Sequence, residues 1–359
     1  ATATVYYGSL GTLGSSPGLL FPTGATAYQD PQGVARSYNM NFGIQQKMGW
    51  NTILDVSWVA TLGRHLRWSF NLEPLPLGTN FDSKNIDPTT NRVYPANFLL
   101  PYTGYSGLTY NNWGATSNYH SLQMMINRRF TKGLQFGASY TFSKWLDTVD
   151  YDDNGVSPFF PARSYNYGFS QFDRTNNLRV NFLYDVPNAP WRNIASRSVL
   201  NGWQVSGIAS FISGQPMNVG FSTTDNKDIT GTPSANARIL VTGNPVLPKS
   251  DRDFYHALNT GVFALPKVGT FGGGAKWLFR GPGTNNWDIT VMKNFPITEQ
   301  VRIQYRLEMY NAFNHASFNG VNSTAPFDAA GNLITTTTFG QYTGTLPPRQ
   351  MQMALKFYF

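Results

Sequence analysis

No cysteine occurs in the 359-residue chain, which excludes disulfides and thiolate metal sites and leaves the redox compartment undetermined. Charge is also scarce. Asp, Glu, Lys and Arg make up 13% of residues, against about 25% in an average soluble domain. A net charge of +8 would raise nucleic acid as a partner for a soluble protein, but the basic residues are spread thinly and form no run, so no nucleic-acid partner is expected. No stretch of 18 apolar residues exists, which excludes a transmembrane helix and leaves a strand-built span open. The four histidines, His65, His120, His256 and His315, show no metal-ligand spacing. Neither G-x-S-x-G nor H-E-x-x-H is present, and Gly272-Gly273-Gly274 is followed by no Lys-Ser/Thr pair, so no enzyme activity is expected. The chain opens Ala1-Thr2-Ala3-Thr4-Val5 without Met or an apolar leader, as expected if a signal has been removed or the sequence begins inside a longer protein.

What is abundant is aromatic, at 15% of residues, and it falls in an alternating pattern. In the last stretch Met351, Met353, Leu355, Phe357 and Phe359 share one face of a strand, while Gln350, Gln352, Ala354, Lys356 and Tyr358 share the other. A strand with one wholly apolar face needs a partner layer. Lipid supplies one for a transmembrane β-barrel, whose strands span about 9–11 residues with apolar side chains outward.

The pattern recurs. Strands are predicted at 36–48 and 52–62, 119–130 and 134–146, 175–186, 202–213, 286–295, 301–313 and 348–359. That gives about nine, joined alternately by short turns and by long loops near 63–118, 147–174, 214–285 and 314–347, with the 187–201 connection somewhat longer than the other turns. Residues 1–35 read as an extracellular loop or the end of a preceding hairpin. Alternation of this kind fits turns on one side of a membrane and loops on the other. Arg302, Gln304, Arg306 and Glu308 all fall in the polar phase, as do Arg179 and Asn181, so these six are the candidate lumen-facing residues. His120, Arg128, Lys144 and Lys293 fall in the apolar phase but near strand ends, where a charge costs about 0–1 kcal/mol instead of about 2–4 at mid-bilayer. Trp50, Trp145, Trp203 and Trp287 also lie at strand ends or turns, where an aromatic girdle is expected. The fold class is therefore all-β, an antiparallel transmembrane β-barrel.

Several short motifs carry a resemblance: Gly63-Arg64-His65-Leu66, Ser117-Asn118-Tyr119-His120-Ser121-Leu122-Gln123, Gly133–Lys144, Phe172-Asp173-Arg174, Gly202–Gly207, Ser213-Gly214-Gln215-Pro216, Arg280-Gly281-Pro282-Gly283 and Asn311-Ala312-Phe313-Asn314-His315. In this order they resemble the C-terminal part of the Oar-like TonB-dependent transporters, outer-membrane receptors of Gram-negative bacteria abundant in Acidobacteria. The resemblance implies a barrel of roughly 22 strands, of which this chain is the C-terminal part. It also implies localisation to the cell outer membrane and active transport of an unidentified ligand, energised by the TonB complex through an N-terminal plug region that is not in this sequence. Outer-membrane lipid, lipopolysaccharide and the barrel-assembly machinery are the other implied partners, with Met351, Met353, Leu355, Phe357 and Phe359 as the C-terminal assembly signal.

Two further uses fit the same pattern: a passive porin-like channel, and a surface β protein for adhesion or carbohydrate binding. Among local motifs, Asp150, Asp152 and Asn154 before Gly155 match the first half of a calcium loop, but the twelfth position is Pro161 where a Glu belongs. Calcium there is the single candidate metal, and no other cofactor is expected. Trp113, Phe159, Phe160 and Tyr165 are candidate ligand-clasping aromatics of the loops.

Overall fold

The computed structural model describes residues 23–102, 105–151, 155–190, 198–298 and 300–359. Among them, nine long strands run in sequence order through one antiparallel sheet. They are β1 (Arg36–Met48), β2 (Thr52–Asn71), β3 (Tyr105–Thr131), β4 (Leu134–Asp147), β5 (Asn176–Asp185), β6 (Trp203–Ile212), β7 (Thr284–Pro296), β8 (Arg302–Tyr310) and β9 (Gln350–Tyr358). Each pairs with its neighbours in the chain. The alternation expected from sequence is thus realised as a meander, in which consecutive pairing needs only turns and loops.

The register keeps the two phases separate from one edge to the other. On one face, Trp58 of β2 lies beside Leu122 of β3, which lies beside Phe142 of β4. Val180 of β5 lies beside Ala209 of β6, which lies beside Trp287 of β7, and Leu307 of β8 lies between Val291 and Met353. Because side chains alternate strictly along a strand, the intervening residues make an opposite face that is mostly polar. A one-residue slip in any strand would turn its apolar set into the lumen.

The charged residues of the apolar phase are accommodated at strand ends. The Lys293 ammonium donates to the Asn201 carbonyl and lies 5.3 Å from the Trp203 ring centroid and 5.1 Å from that of Phe295. Arg128 donates to the Thr131 carbonyl (3.4 Å) in the turn, Lys144 sits over Phe169, and His120 stacks on Trp58. Long cationic side chains reach in this way from an apolar surface to a polar rim.

Two elements exceed the sequence reading. β2 and β3 run to 20 and 27 residues, or about 66 and 89 Å at roughly 3.3 Å per residue, so their paired arms extend well beyond a bilayer. The segment 63–118 was expected to be one long loop, yet only 72–104 connects the two strands. The ladder survives a bulge between Gly63 and Leu66 and continues to Asn71↔Thr109; polar side chains there hide from a periodicity search a strand held by its backbone. Thr23–Tyr28, within the expected 1–35 loop, adds as a short parallel strand along Tyr105–Asn111.

At the opposite end the connections are tight. Gly202, before β6, has φ +80°, and a Cβ on it would sit 2.5 Å from the Asn294 carbonyl oxygen, which belongs to the peptide pair closed by Asn294 N–H donating to Gly202 O (2.9 Å). Left-handed backbone alone costs an L-residue about 1–2 kcal/mol. Gly202→Ala is therefore expected to lower unfolding stability by at least about that amount, read as a shift of the urea midpoint of the heat-modifiable, folded gel band.

Candidate functional site

The polar face is the first candidate. Arg302, Gln304, Arg306 and Glu308 stand on it in succession along β8, between β7 and β9. They are joined to one another. Arg306 Nη1 donates to Glu308 Oε1 (3.2 Å), Gln304 Nε2 to Asn294 Oδ1 (3.0 Å), and Tyr310 Oη to Glu308 Oε2 (3.3 Å). Gln352 also donates to Glu308. The Arg302 guanidinium lies 4.4 Å from the Tyr358 ring centroid. Arg306 and Glu308 are thus paired within this row, while Arg306 Nε is buried without a hydrogen-bond partner among the described residues and the Arg302 contact is to a ring alone.

Arg179 and Asn181 share the same face but sit on β5, three strands away, which is about 14 Å at roughly 4.8 Å per strand. Arg179 lies between Ser139 and Ser210, is exposed, and has no hydrogen-bond or ion-pair partner among the described residues. Asn181 lies beside Gly137, where a Cβ would meet the Asn181 and Asn127 side-chain oxygens at 2.7 and 2.8 Å. The six residues thus share a wall without converging on one point. Met351, Met353, Leu355 and Phe357 of β9 lie exposed in the apolar phase, opposite Met309, Leu307, Tyr305 and Ile303, and Phe359 follows them.

The second candidate is the layer of loops at the far end of the strands. The 213–283 and 311–349 connections share a hydrophobic core of Val219, Ile239, Leu258, Phe263, Phe279, Val321, Ala325, Phe327 and Phe339. Gly220–Thr223 pairs in parallel with Thr324–Phe327 across the two connections. Burial of this many apolar side chains accounts for a cap with defined packing, at about 1.5–3 kcal/mol for each fully buried large residue.

The cap is bound to the strand rim by two buried carboxylates, Asp173 and Asp147, to which sequence reading gave no role in joining the loops to the strands. Asp173, 1% exposed, accepts from Arg280 Nη2 (2.6 Å), from the Trp145 N–H (2.7 Å) and from Thr175 Oγ1 (3.3 Å). Asp147, at the end of β4, accepts from Lys276 Nζ (2.6 Å). Arg280 Nη1 also donates to the Gly214 carbonyl (3.2 Å), and Arg174 Nη2 to Gln215 Oε1 (3.1 Å). Burial pulls the Arg174 guanidinium below its ordinary value, Asp173 opposing the shift and Arg280 adding to it. Three of the motifs quoted above therefore meet at one place: Phe172-Asp173-Arg174, Ser213–Pro216 and Arg280–Gly283. Gly214 is required there, because a Cβ on it would lie 1.8 Å from the Gly281 carbonyl oxygen.

Of the candidate calcium ligands, Asp152 and Asn154 lie outside the described residues. Asp150 accepts from the Gln171 N–H (2.8 Å) and lies 3.2 Å from Lys276 Nζ, so its counter-charge is an ammonium shared with Asp147. Among the described residues no group of three or more His, Asp or Glu is placed to hold a metal. The loop aromatics are packed together: Phe159 with Phe271 at 4.7 Å, Phe160 stacked on Tyr165 at 4.4 Å, and Arg238 over Tyr165 at 3.6 Å. Trp113 stands on β3 with its Cβ against Gly33.

Residues 4–352 match the sequence family described as the outer membrane beta barrel domain. No functionally curated protein matches the chain. Among solved structures, it is similar to the outer membrane transporter YddB from Escherichia coli at 10% identity and a TM-score of 0.44, covering 94% of this chain and 34% of that one. It is also similar to the siderophore receptor PirA from Acinetobacter baumannii at 10% identity and a TM-score of 0.40, covering 90% and 32%. The chain thus spans about a third of the length of these structures.

Proposed function

The chain belongs to the outer membrane beta barrel domain family, and on that premise we propose that it is the C-terminal wall and external cap of a TonB-energised transporter of the Oar-like group. The carrying observation is the pairing of a continuous polar wall with a cored cap bound to its rim. Such a wall offers a solute, or a plug that fills the lumen, a row of polar contacts. Arg179 is the group best suited to an incoming anion or a plug carboxylate, since it is exposed to the lumen and unpaired, whereas Arg306 is ion-paired with Glu308 and Arg302 rests on the Tyr358 ring. The apolar phase, ending in Met351, Met353, Leu355, Phe357 and Phe359, faces lipid and is the segment that the assembly machinery would read. No catalytic step is assigned to any residue.

Three measurements on the full-length protein from outer membranes test this reading. A heat-modifiable band with an intact mass far above 40.0 kDa, giving no steady conductance in planar bilayers and co-purifying with TonB, is the expected result. A steady ohmic conductance from the purified protein would replace transport with passive diffusion.

A further inference from the structure

Beside the tie between Asp173 and Arg280, the 148–175 and 213–283 connections border a cavity of about 660 Å³, within the size range of small-molecule sites. Its lining is of two kinds. Phe169, Val246 and Trp277 present apolar surface, and Lys249, Arg252 and Arg280 present cations. No aspartate or glutamate is among the described lining residues. Phe169 continues the wall at the end of β4, where it pairs with Leu146, yet it and Val246 remain 36% and 44% exposed. Open apolar surface set among cations of one sign is a lining that water alone serves poorly.

The three cations differ in what already holds them. Arg280 is engaged by Asp173 and the Gly214 carbonyl, and its guanidinium lies 5.0 Å from the Phe169 ring centroid. Lys144 Nζ lies 5.6 Å from the same ring, so Phe169 is a fixed wall. Arg252 donates from Nε and Nη2 to the Leu247 carbonyl (2.9 and 2.7 Å), which pins the guanidinium without neutralising it. Lys249 has no side-chain hydrogen bond or ion pair among the described residues. The acids next to them in sequence are engaged elsewhere: Asp251 accepts from Ser250 Oγ (2.8 Å), and Asp253 accepts from the Tyr255 and His256 N–H groups (2.8 Å each) and contacts His256 Nδ1 (2.8 Å). Lys249 and Arg252 therefore offer a focused positive field and charge-assisted donors for an oxyanion, while the rings of Phe169 and Trp277 offer faces to an aromatic body.

We propose that this cavity binds a small organic anion built on an aromatic ring, an arylcarboxylate in its simplest form, with the carboxylate on Lys249 and Arg252 and the ring against Phe169 and Trp277. As the capture site for a transported solute it rests on the function proposed above; as a binding site it stands without it.

Calorimetry of the detergent-extracted full-length protein with naphthoate, against naphthylmethanol and acetate and with the uptake by empty micelles subtracted, tests the site. Wild type, Lys249→Gln and Arg252→Gln are compared. Both side chains are exposed, so the variants should melt with the wild type. Expected is saturable naphthoate binding by the wild type, weaker by about tenfold or more in each variant and for both control solutes. Absence of saturable naphthoate binding, wild-type affinity in both variants, or either control bound as tightly as naphthoate would overturn the proposal. Planar-bilayer conductance separates this result from the transport reading. Saturable binding by a protein with a steady ohmic conductance keeps the site and removes energised transport, whereas no binding by a protein that co-purifies with TonB removes the site alone.

Discussion

Asp173→Ala is expected to release the cap from the strand rim while leaving the barrel strands folded. The Asp173 side chain is fully buried and Arg280 about one-third exposed. Removing one partner of a buried pair costs about 3–5 kcal/mol, because the other charge is left uncompensated; the partial exposure of Arg280 places this case near the lower end. The Trp145 N–H loses its acceptor as well. Hydrogen exchange should rise together in residues 143–146 and 276–283, which the pair holds in register at a separation of 107 positions. Heat-modifiable migration, which reports the strands, should persist. Unchanged exchange in both segments would show that the shared core of the cap holds it down without the ion pair.

The largest effect on the strands themselves is expected from Leu307→Arg. Leu307 lies near the middle of β8 in the apolar phase, flanked by Val291 and Met353, and an arginine at that depth on the lipid face costs about 2–4 kcal/mol. Ala354→Arg, on the neighbouring strand beside Arg306, falls in the polar phase and escapes that cost. Measured by urea titration of the folded gel band, the first variant should lose most of its folded fraction under conditions where the second keeps it. The reverse order would mean that the lumen and lipid faces have been exchanged.

The contrast between those two substitutions rests on information that the sequence displays openly. A strand in a bilayer has only two environments, so alternation along β8 and β9 reads out which side chains share a face, as Arg302, Gln304, Arg306 and Glu308 do. Chain order supplied the pairing, because a meander joins neighbours in sequence. Phase says nothing of distance across the sheet, however, so Arg179 and Asn181 could be placed on the wall but not apart from the β8 network. The arms of β2 and β3 beyond Gly63 were illegible for a related reason: outside lipid, the two faces of Arg64–Asn71 need not differ in polarity, and the backbone ladder leaves no trace in composition. Least legible was the cap. Asp147 meets Lys276 across 129 positions, and Phe327 enters a core with Val219 and Ile239, contacts that no local period encodes. Their one trace was the set of short glycine-bearing motifs, whose backbones approach too closely for a side chain.

On the proposed reading, which puts the cap outside the cell, the parallel pairing of Gly220–Thr223 with Thr324–Phe327 has a consequence for whatever meets it there. Residues about one hundred positions apart form a single surface, so an antibody or a phage tail fibre that recognises the folded cap sees a discontinuous epitope. Peptides copied from either loop alone lack the partner strand that shapes it. Sera raised against such peptides should stain denatured protein on a blot and leave intact cells unlabelled, whereas immunisation with the folded protein should yield antibodies whose binding is lost on boiling.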